Sequence, residues 1–209
     1  MIVDLSLSGN NLKKLFNWRV IFRDISFEVV RGQTLLITGR NGSGKSTLVK
    51  IISGVLTPTS GTVTIHGAGD GRKDGSPDLL GLVSPYLQMY DEFSARENIQ
   101  NALAIRGRKT DEKWIDELMK RVGLFERQRD AVRTYSSGMK QRVKYAFALC
   151  HRPPVLLLDE PMANLDSDGN AIVRNIMSMQ REEGILVVAT NDLTDIDRYE
   201  LRVDLNAAS

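Results

Sequence analysis

The sequence has one cysteine, Cys150, so an internal disulfide is excluded. Its setting, directly after Ala146-Phe147-Ala148-Leu149, marks a buried helical thiol rather than a reactive one. Histidine is almost as scarce. His66 and His151 lie too far apart to suggest a local metal motif, and both read as structural. No apolar stretch approaches the roughly 20 residues of a membrane span. No run of Lys and Arg is long enough to mark a nucleic-acid interface, and the net charge is only +2, so no nucleic-acid partner is expected. The first residues, Met1-Ile2-Val3-Asp4-Leu5-Ser6, lack the charged and then long-apolar layout of a signal peptide, which makes the cytosol the expected compartment. Hydrophobic content of 42% and charged content of 26% in 209 residues describe an ordinary globular chain, large enough for one domain with subdomains.

Periodicity divides the chain. Val3, Leu5 and Leu7 alternate with polar neighbours, as do Ile25, Phe27 and Val29, so residues 1–33 read as half-buried antiparallel strands. Thr62-Val63-Thr64-Ile65 alternates in the same way. The glycine-rich stretch 67–77 contains G-x-G without a strand-to-helix setting, and reads as a mobile surface hairpin rather than a second nucleotide site. Residues 79–83 read as a further apolar strand. Ser94-Ala95-Arg96-Glu97 is a capping box that opens a helical region over 94–150. There Trp114, Ile115, Leu118, Met119 and Val122 form one stripe, and Met139, Val143, Ala146, Phe147 and Cys150 another. Continuous apolar runs, Val155-Leu156-Leu157-Leu158 and Ile185-Leu186-Val187-Val188-Ala189, fit parallel strands covered on both faces. A helix is predicted over 167–183 and a last edge strand over 199–205. The expected fold class is α/β: a core with a mostly parallel sheet, an antiparallel β subdomain and an inserted α-helical subdomain. All 209 residues form a single domain, with 1–33 and 56–83 antiparallel, 34–55 and 151–209 the core, and 94–150 helical.

The stretch that carries chemistry is Gly39-Arg40-Asn41-Gly42-Ser43-Gly44-Lys45-Ser46, followed by Thr47, which fits G-x-x-x-x-G-K-[ST], the phosphate-binding P-loop, so the expected core is that of a P-loop NTPase. Glycines let the backbone approach phosphate oxygens closely, and successive N–H groups then face the anion at a helix N-terminus. Lys45 would reach the β and γ phosphates, and the Ser46 hydroxyl would ligate Mg²⁺. The bland alternative is a glycine-rich turn that happens to contain Lys-Ser. The apolar strand before it and the helical pattern after it argue against that. About a hundred residues on, Val155-Leu156-Leu157-Leu158 ends in Asp159-Glu160. Asp159 can hold Mg²⁺ or its waters, and Glu160 is placed to polarise an attacking water. Phe16, ahead of the glycine-rich loop, can stack on adenine, though core packing explains it equally well.

Tyr135-Ser136-Ser137-Gly138-Met139-Lys140-Gln141-Arg142 opens a helix with small residues whose N–H groups and Ser136 hydroxyl could hold another phosphate. This stretch resembles the signature motif of the ATP-binding cassette (ABC) family, usually Leu-Ser-Gly-Gly-Gln. Ser136 and Gly138 match, while Tyr135, Ser137 and Met139 depart from it. The phosphate loop, the signature, Asp159-Glu160-Pro161 and Asn164-Leu165-Asp166 follow the family's order and spacing over nearly the whole chain. The resemblance implies an ATPase that uses ATP and Mg²⁺, pairs head to tail with a second ABC subunit as a homodimer or heterodimer, and closes each ATP between one subunit's phosphate loop and the other's signature. It implies a membrane-spanning partner and a place on the cytoplasmic face of the membrane. The short chain resembles the compact ATPases of export systems. Phe16 then falls at the adenine-stacking position, and Asp166 in the loop that touches the opposing subunit.

Two further positions depart from the family pattern. Asn191 stands where the family usually has His, able to donate to a γ-phosphate oxygen but not to carry charge. The usual Mg²⁺-contacting Gln falls near Pro85, which leaves Gln88 as the available candidate, or as an ordinary solvent-facing loop residue. Met89, Tyr90 and Phe93 are candidate anchors for a membrane partner, with core packing as the alternative. A soluble ABC ATPase of iron–sulfur assembly is the alternative function. A GTPase would need Asn-Lys-x-Asp, which is absent, and a kinase or GTPase leaves Tyr135 to Met139 without a role.

Overall fold

The computed structural model describes residues 5–67 and 73–206. In chain order it runs β1 (Ser6–Phe16), β2 (Arg19–Val30), β3 (Thr34–Thr38), α1 (Lys45–Ile52), β4 (Ser60–His66) and β5 (Leu80–Val83). Three helices follow: α2 (Ala95–Ile105), α3 (Glu112–Arg121) and α4 (Ser137–Leu149). Then come β6 (Val155–Asp159), α5 (Ser167–Glu183), β7 (Ile185–Ala189) and β8 (Leu201–Asp204). The two strands at the start form a hairpin closed by Asn17 and Trp18, both left-handed at φ 47 and 66, the geometry that suits the twist of a two-residue turn. β4 joins the free edge of β1 to give an antiparallel sheet ordered β2-β1-β4.

The second sheet is ordered β5-β6-β7-β3-β8, and every pairing in it is parallel. Every residue of β3, β6 and β7 is buried, which is why these strands carry continuous apolar runs rather than alternating ones. Alternation instead sorts them between two cores. Leu156, Leu158, Leu186 and Val188 face the helical side with α2 to α5. Val155, Leu157, Ile185 and Val187 face α1 and the antiparallel sheet. Each fully buried aliphatic side chain of this kind contributes roughly 1.5–3 kcal/mol.

Several expectations are met closely. The capping box at Ser94 forms in both directions, and α5 has the predicted bounds. Val3 lies outside the described residues, as do 68–72 of the glycine-rich loop. Three expectations need correction. Leu79 belongs to a short 3-10 turn, Pro77–Leu79, and not to the strand. β5 pairs in parallel with β6, so 80–83 belongs to the core sheet rather than to the antiparallel subdomain. The segment 67–77 therefore links two different sheets, and closes no hairpin. Local alternation cannot reveal this, because pairing partners are set by the tertiary fold.

Cys150 and His151 are buried as expected, the thiol pushed up to about 11 by burial. Burial, together with the charge of Arg106, lowers His151 to about 4 from an ordinary 6.5, while its Nε2 sits 3.0 Å from the Leu80 carbonyl oxygen. The folded state therefore holds a neutral imidazole that the unfolded chain would protonate. Its stability contribution is present above pH 6.5 and is lost as pH falls toward 4. Urea midpoints should fall across this window by the equivalent of a few kcal/mol at most, and His151→Gln should flatten that part of the profile. An unchanged slope in the variant would remove His151 as the cause.

Candidate functional site

β3 delivers the chain into the glycine-rich loop, and α1 leaves it. Gly44 caps α1 at φ 102, where a Cβ would lie 2.6 Å from Ile21 Cγ2, so both the conformation and the space require glycine. A Cβ on Gly39 would lie 2.3 Å from Ser43 Oγ. The loop thus closes tightly around the start of α1. Lys45 is 6% exposed, and its Nζ crosses the loop to donate to the Gly39 carbonyl at 2.8 Å. Ser46 and Thr47 are half-buried behind it. Arg40, Asn41, Gly42 and Ser43 line a hollow of about 380 Å³ with Arg19, Val20, Ile21, Leu205 and Asn206.

β6 brings the two acids to the same end of the sheet. Asp159 is 1% exposed, and burial raises its carboxyl above the usual range, against a hydrogen bond with Ser46 and the charges of Lys45 and Lys50. Its Oδ1 is buried without a hydrogen-bond partner. A buried carboxylate oxygen left unpaired beside a hydroxyl is an oxygen donor set that fits a hard divalent cation. Glu160 follows at φ 51, a costly conformation for a residue with a Cβ. Its N–H donates to the Ala189 carbonyl at 2.8 Å, and its Oε1 lies 3.5 Å from Lys45 Nζ. Past β7, Asn191 Nδ2 reaches Asn41 Oδ1 at a long 3.5 Å and lines a hollow with Thr38, Gly39, Arg40 and Arg202. Lys45, Ser46, Asp159, Glu160 and Asn191 therefore meet at the carboxyl ends of β3, β6 and β7, where open α/β sheets bind ligands.

Other candidates lie elsewhere. Ser136 caps α4, its hydroxyl accepting from the Met139 N–H at 3.3 Å, and Asp166 caps α5, accepting from the Gly169 N–H at 2.8 Å. Gly138 faces the loop before α5, where a Cβ would sit 3.4 Å from the Asn164 carbonyl oxygen. None of the three lines the hollows beside the glycine-rich loop. Phe16 is 45% exposed at the hairpin end with Lys14 over its ring, and its neighbours Arg19, Val20 and Ile21 line the hollow instead. Gln88 is exposed in a hollow of about 300 Å³ with Pro85, Asp91, Lys140 and Lys144, a set that includes neither Ser46 nor Asp159. Two lysines on one face of α4 hold that loop: Lys140 to Asp91 at 3.0 Å, and Lys144 to the Ser84 carbonyl at 3.3 Å. Tyr90 and Phe93 are exposed beside each other, whereas Met89 packs partly against the core.

Sequence reasoning missed Asn206, whose Oδ1 accepts from the Arg40 N–H at 3.0 Å. Nothing local distinguishes it. It reaches the loop only because β8 pairs beside β3.

A sequence profile of the family described as ABC transporter matches residues 22–163. The linearmycin resistance ATP-binding protein LnrL of Bacillus subtilis (strain 168) is 31% identical over 188 residues, covering 88% of this chain and 60% of its own length. The chain thus spans about three-fifths of that relative. The lantibiotic transport ATP-binding protein SrtF of Streptococcus pyogenes is 31% identical over 192 residues, covering 91% of this chain and 82% of its own. A dimeric ATP-binding cassette in a post-hydrolysis state, bound to ADP and Pi, matches with a TM-score of 0.83 over 95% of this chain and 93% of that one. Its sequence identity is 24%, so that likeness concerns the fold.

Proposed function

The chain belongs to the ABC transporter family, and on that premise we propose that it binds and hydrolyses ATP to power a separate membrane-spanning subunit, with export as the direction of transport. The observation that carries the reading is the convergence of Lys45, Ser46, Asp159 and Glu160 at the carboxyl ends of β3 and β6. Export draws support from the relatives named for lantibiotic transport and linearmycin resistance.

Residues 39–47 would cradle the phosphates, with Lys45 on the β and γ groups. Ser46 and Asp159 would hold Mg²⁺, which when bound supplies positive charge against the phosphoryl oxygens. Glu160 would take the proton of the attacking water, and Asn191 would donate to a γ-phosphate oxygen. The N-terminus of α4, with Ser136 and Gly138, is directed to the ATP of a second subunit placed head to tail, homomeric or heteromeric, and Asp166 to the shared interface. Among the described residues no helix is long and apolar enough to cross a membrane. The reading places the chain on the cytoplasmic face, with the exposed Tyr90 and Phe93 toward the membrane subunit.

Asn191→His should raise turnover several-fold, on the order of 3- to 10-fold, and introduce a pH dependence near 6.5, since imidazole can take the charge that an amide cannot. An unchanged rate would remove Asn191 from the chemistry. The test of the whole reading is a tagged Glu160→Gln chain recovered with ATP from detergent-solubilised cells. A polytopic membrane protein is expected with it. Recovery of soluble assembly factors or ribosomes alone would overturn the transporter reading.

A further inference from the structure

Tyr145 is a polar residue in the apolar centre of the molecule. It lies on α4, fully buried, seven residues beyond Gly138 and hence on the same helix face. That face packs along the chain that follows β6. Gly138 lies against the Asn164 carbonyl, and the Tyr145 hydroxyl donates to the Pro161 carbonyl at 2.7 Å in a buried bond. Pro161 is the residue directly after Glu160. A purely apolar side chain would fill this space without the cost of burying a hydroxyl, so the hydroxyl calls for an account of what it holds.

It holds a strained segment. Glu160 sits at φ 51, and such conformations persist only where surrounding bonds over-determine them. Three bonds do so here. The Glu160 N–H donates to Ala189 at 2.8 Å, the Ala163 N–H donates to the Glu160 carbonyl at 3.2 Å, and Tyr145 takes the Pro161 carbonyl. The first two lie within the strand ends and the turn itself. Tyr145 alone of these three ties the turn to α4. Beyond β7, Thr190 Oγ1 donates to Asp195 Oδ2 at 2.6 Å and braces the loop that carries Asn191.

We propose that Tyr145 is a positioning residue for ATP hydrolysis: its hydroxyl, by fixing the Pro161 carbonyl to α4, sets where the Glu160 carboxylate stands. This rests on the reading of Glu160 as the general base. The phenol is buried and its pKa is raised by that burial, so it remains a donor throughout the physiological range. Its effect is therefore not a pH switch.

Tyr145→Phe removes one oxygen and keeps the ring. In the full chain it should lower kcat about tenfold, leave KM for ATP within about twofold, and leave the thermal melt cooperative. Hydrogen exchange should quicken in the segment 159–165 and stay unchanged in α1. Glu160→Gln is measured alongside. If Glu160→Gln abolishes turnover while Tyr145→Phe keeps kcat within a factor of two, the positioning role is overturned and the hydroxyl is only structural. If Glu160→Gln itself retains turnover, the general-base reading fails instead, and exchange in 159–165 decides whether the hydroxyl holds the turn. Unchanged exchange there overturns the proposal under either result.

Discussion

Replacing Glu160 by glutamine should cut ATP turnover by about 100- to 1,000-fold and leave ATP affinity within roughly threefold. The two side chains match in shape, so the turn after β6 can keep its bonds to Ala189 and to Tyr145. What is lost is the capacity to accept a proton. The carboxylate is 30% exposed and 3.5 Å from Lys45 Nζ, and the ammonium keeps its bond to the Gly39 carbonyl when the charge is removed, so folding should be almost unchanged. A transition-state effect with little ground-state effect is the signature of a base and not of a phosphate-binding group. Steady-state kinetics with equilibrium ATP binding on the same preparations separates the two. A variant that turns over within a few-fold of the original would leave the proton to another group. A variant that loses affinity in proportion would place Glu160 among the binding residues.

Much of this site could be read from the order of residues, for a physical reason. The glycine-rich loop is contiguous, and its function depends on backbone that only glycine permits. Gly44 at φ 102, wedged against Ile21, is the kind of position a local motif records. Asp159 and Glu160 stand at the end of a strand apolar on both faces, which is also visible locally. The sheet was harder to read. Residues 80–83 read locally as a short apolar strand with no sign of its partner, and they pair in parallel with β6 because α4 and the apolar side chains beneath them decide it.

The contributions that escaped sequence reasoning depend on contacts across long separations. Asn206 reaches the Arg40 N–H only through the pairing of β8 with β3, and the Tyr145 hydroxyl meets Pro161 sixteen residues on only through the packing of α4. Gln88 is the converse case. Residue type and rough spacing left it as a metal candidate or a solvent-facing residue, and the loop that carries it is drawn toward α4 by Lys140 and Lys144. A side chain's direction is fixed by its loop's tethers, and those are absent from the local sequence.

Lys45→Ala should weaken ATP binding by about 100-fold, through the loss of a buried cation together with its replacement by mutual repulsion. Lys45 is held at the first turn of α1 with its ammonium on the Gly39 carbonyl and beside Glu160. Those two oxygens converge on the place where the phosphates would lie. With the ammonium present, they are neutralised in advance and the loop offers a net donor surface. Without it, an anion would meet a carbonyl and a carboxylate with no intervening charge. Alanine is a good helix former, so α1 should persist and the thermal midpoint should fall by only a few degrees. Arginine should not restore affinity, since its planar fork does not reproduce the compact ammonium that sits on the Gly39 carbonyl. Calorimetric titration of ATP into the variants provides the measurement. Affinity within threefold of the unaltered chain would mean that backbone N–H groups alone hold the phosphates, and would reassign Lys45 to orienting Glu160.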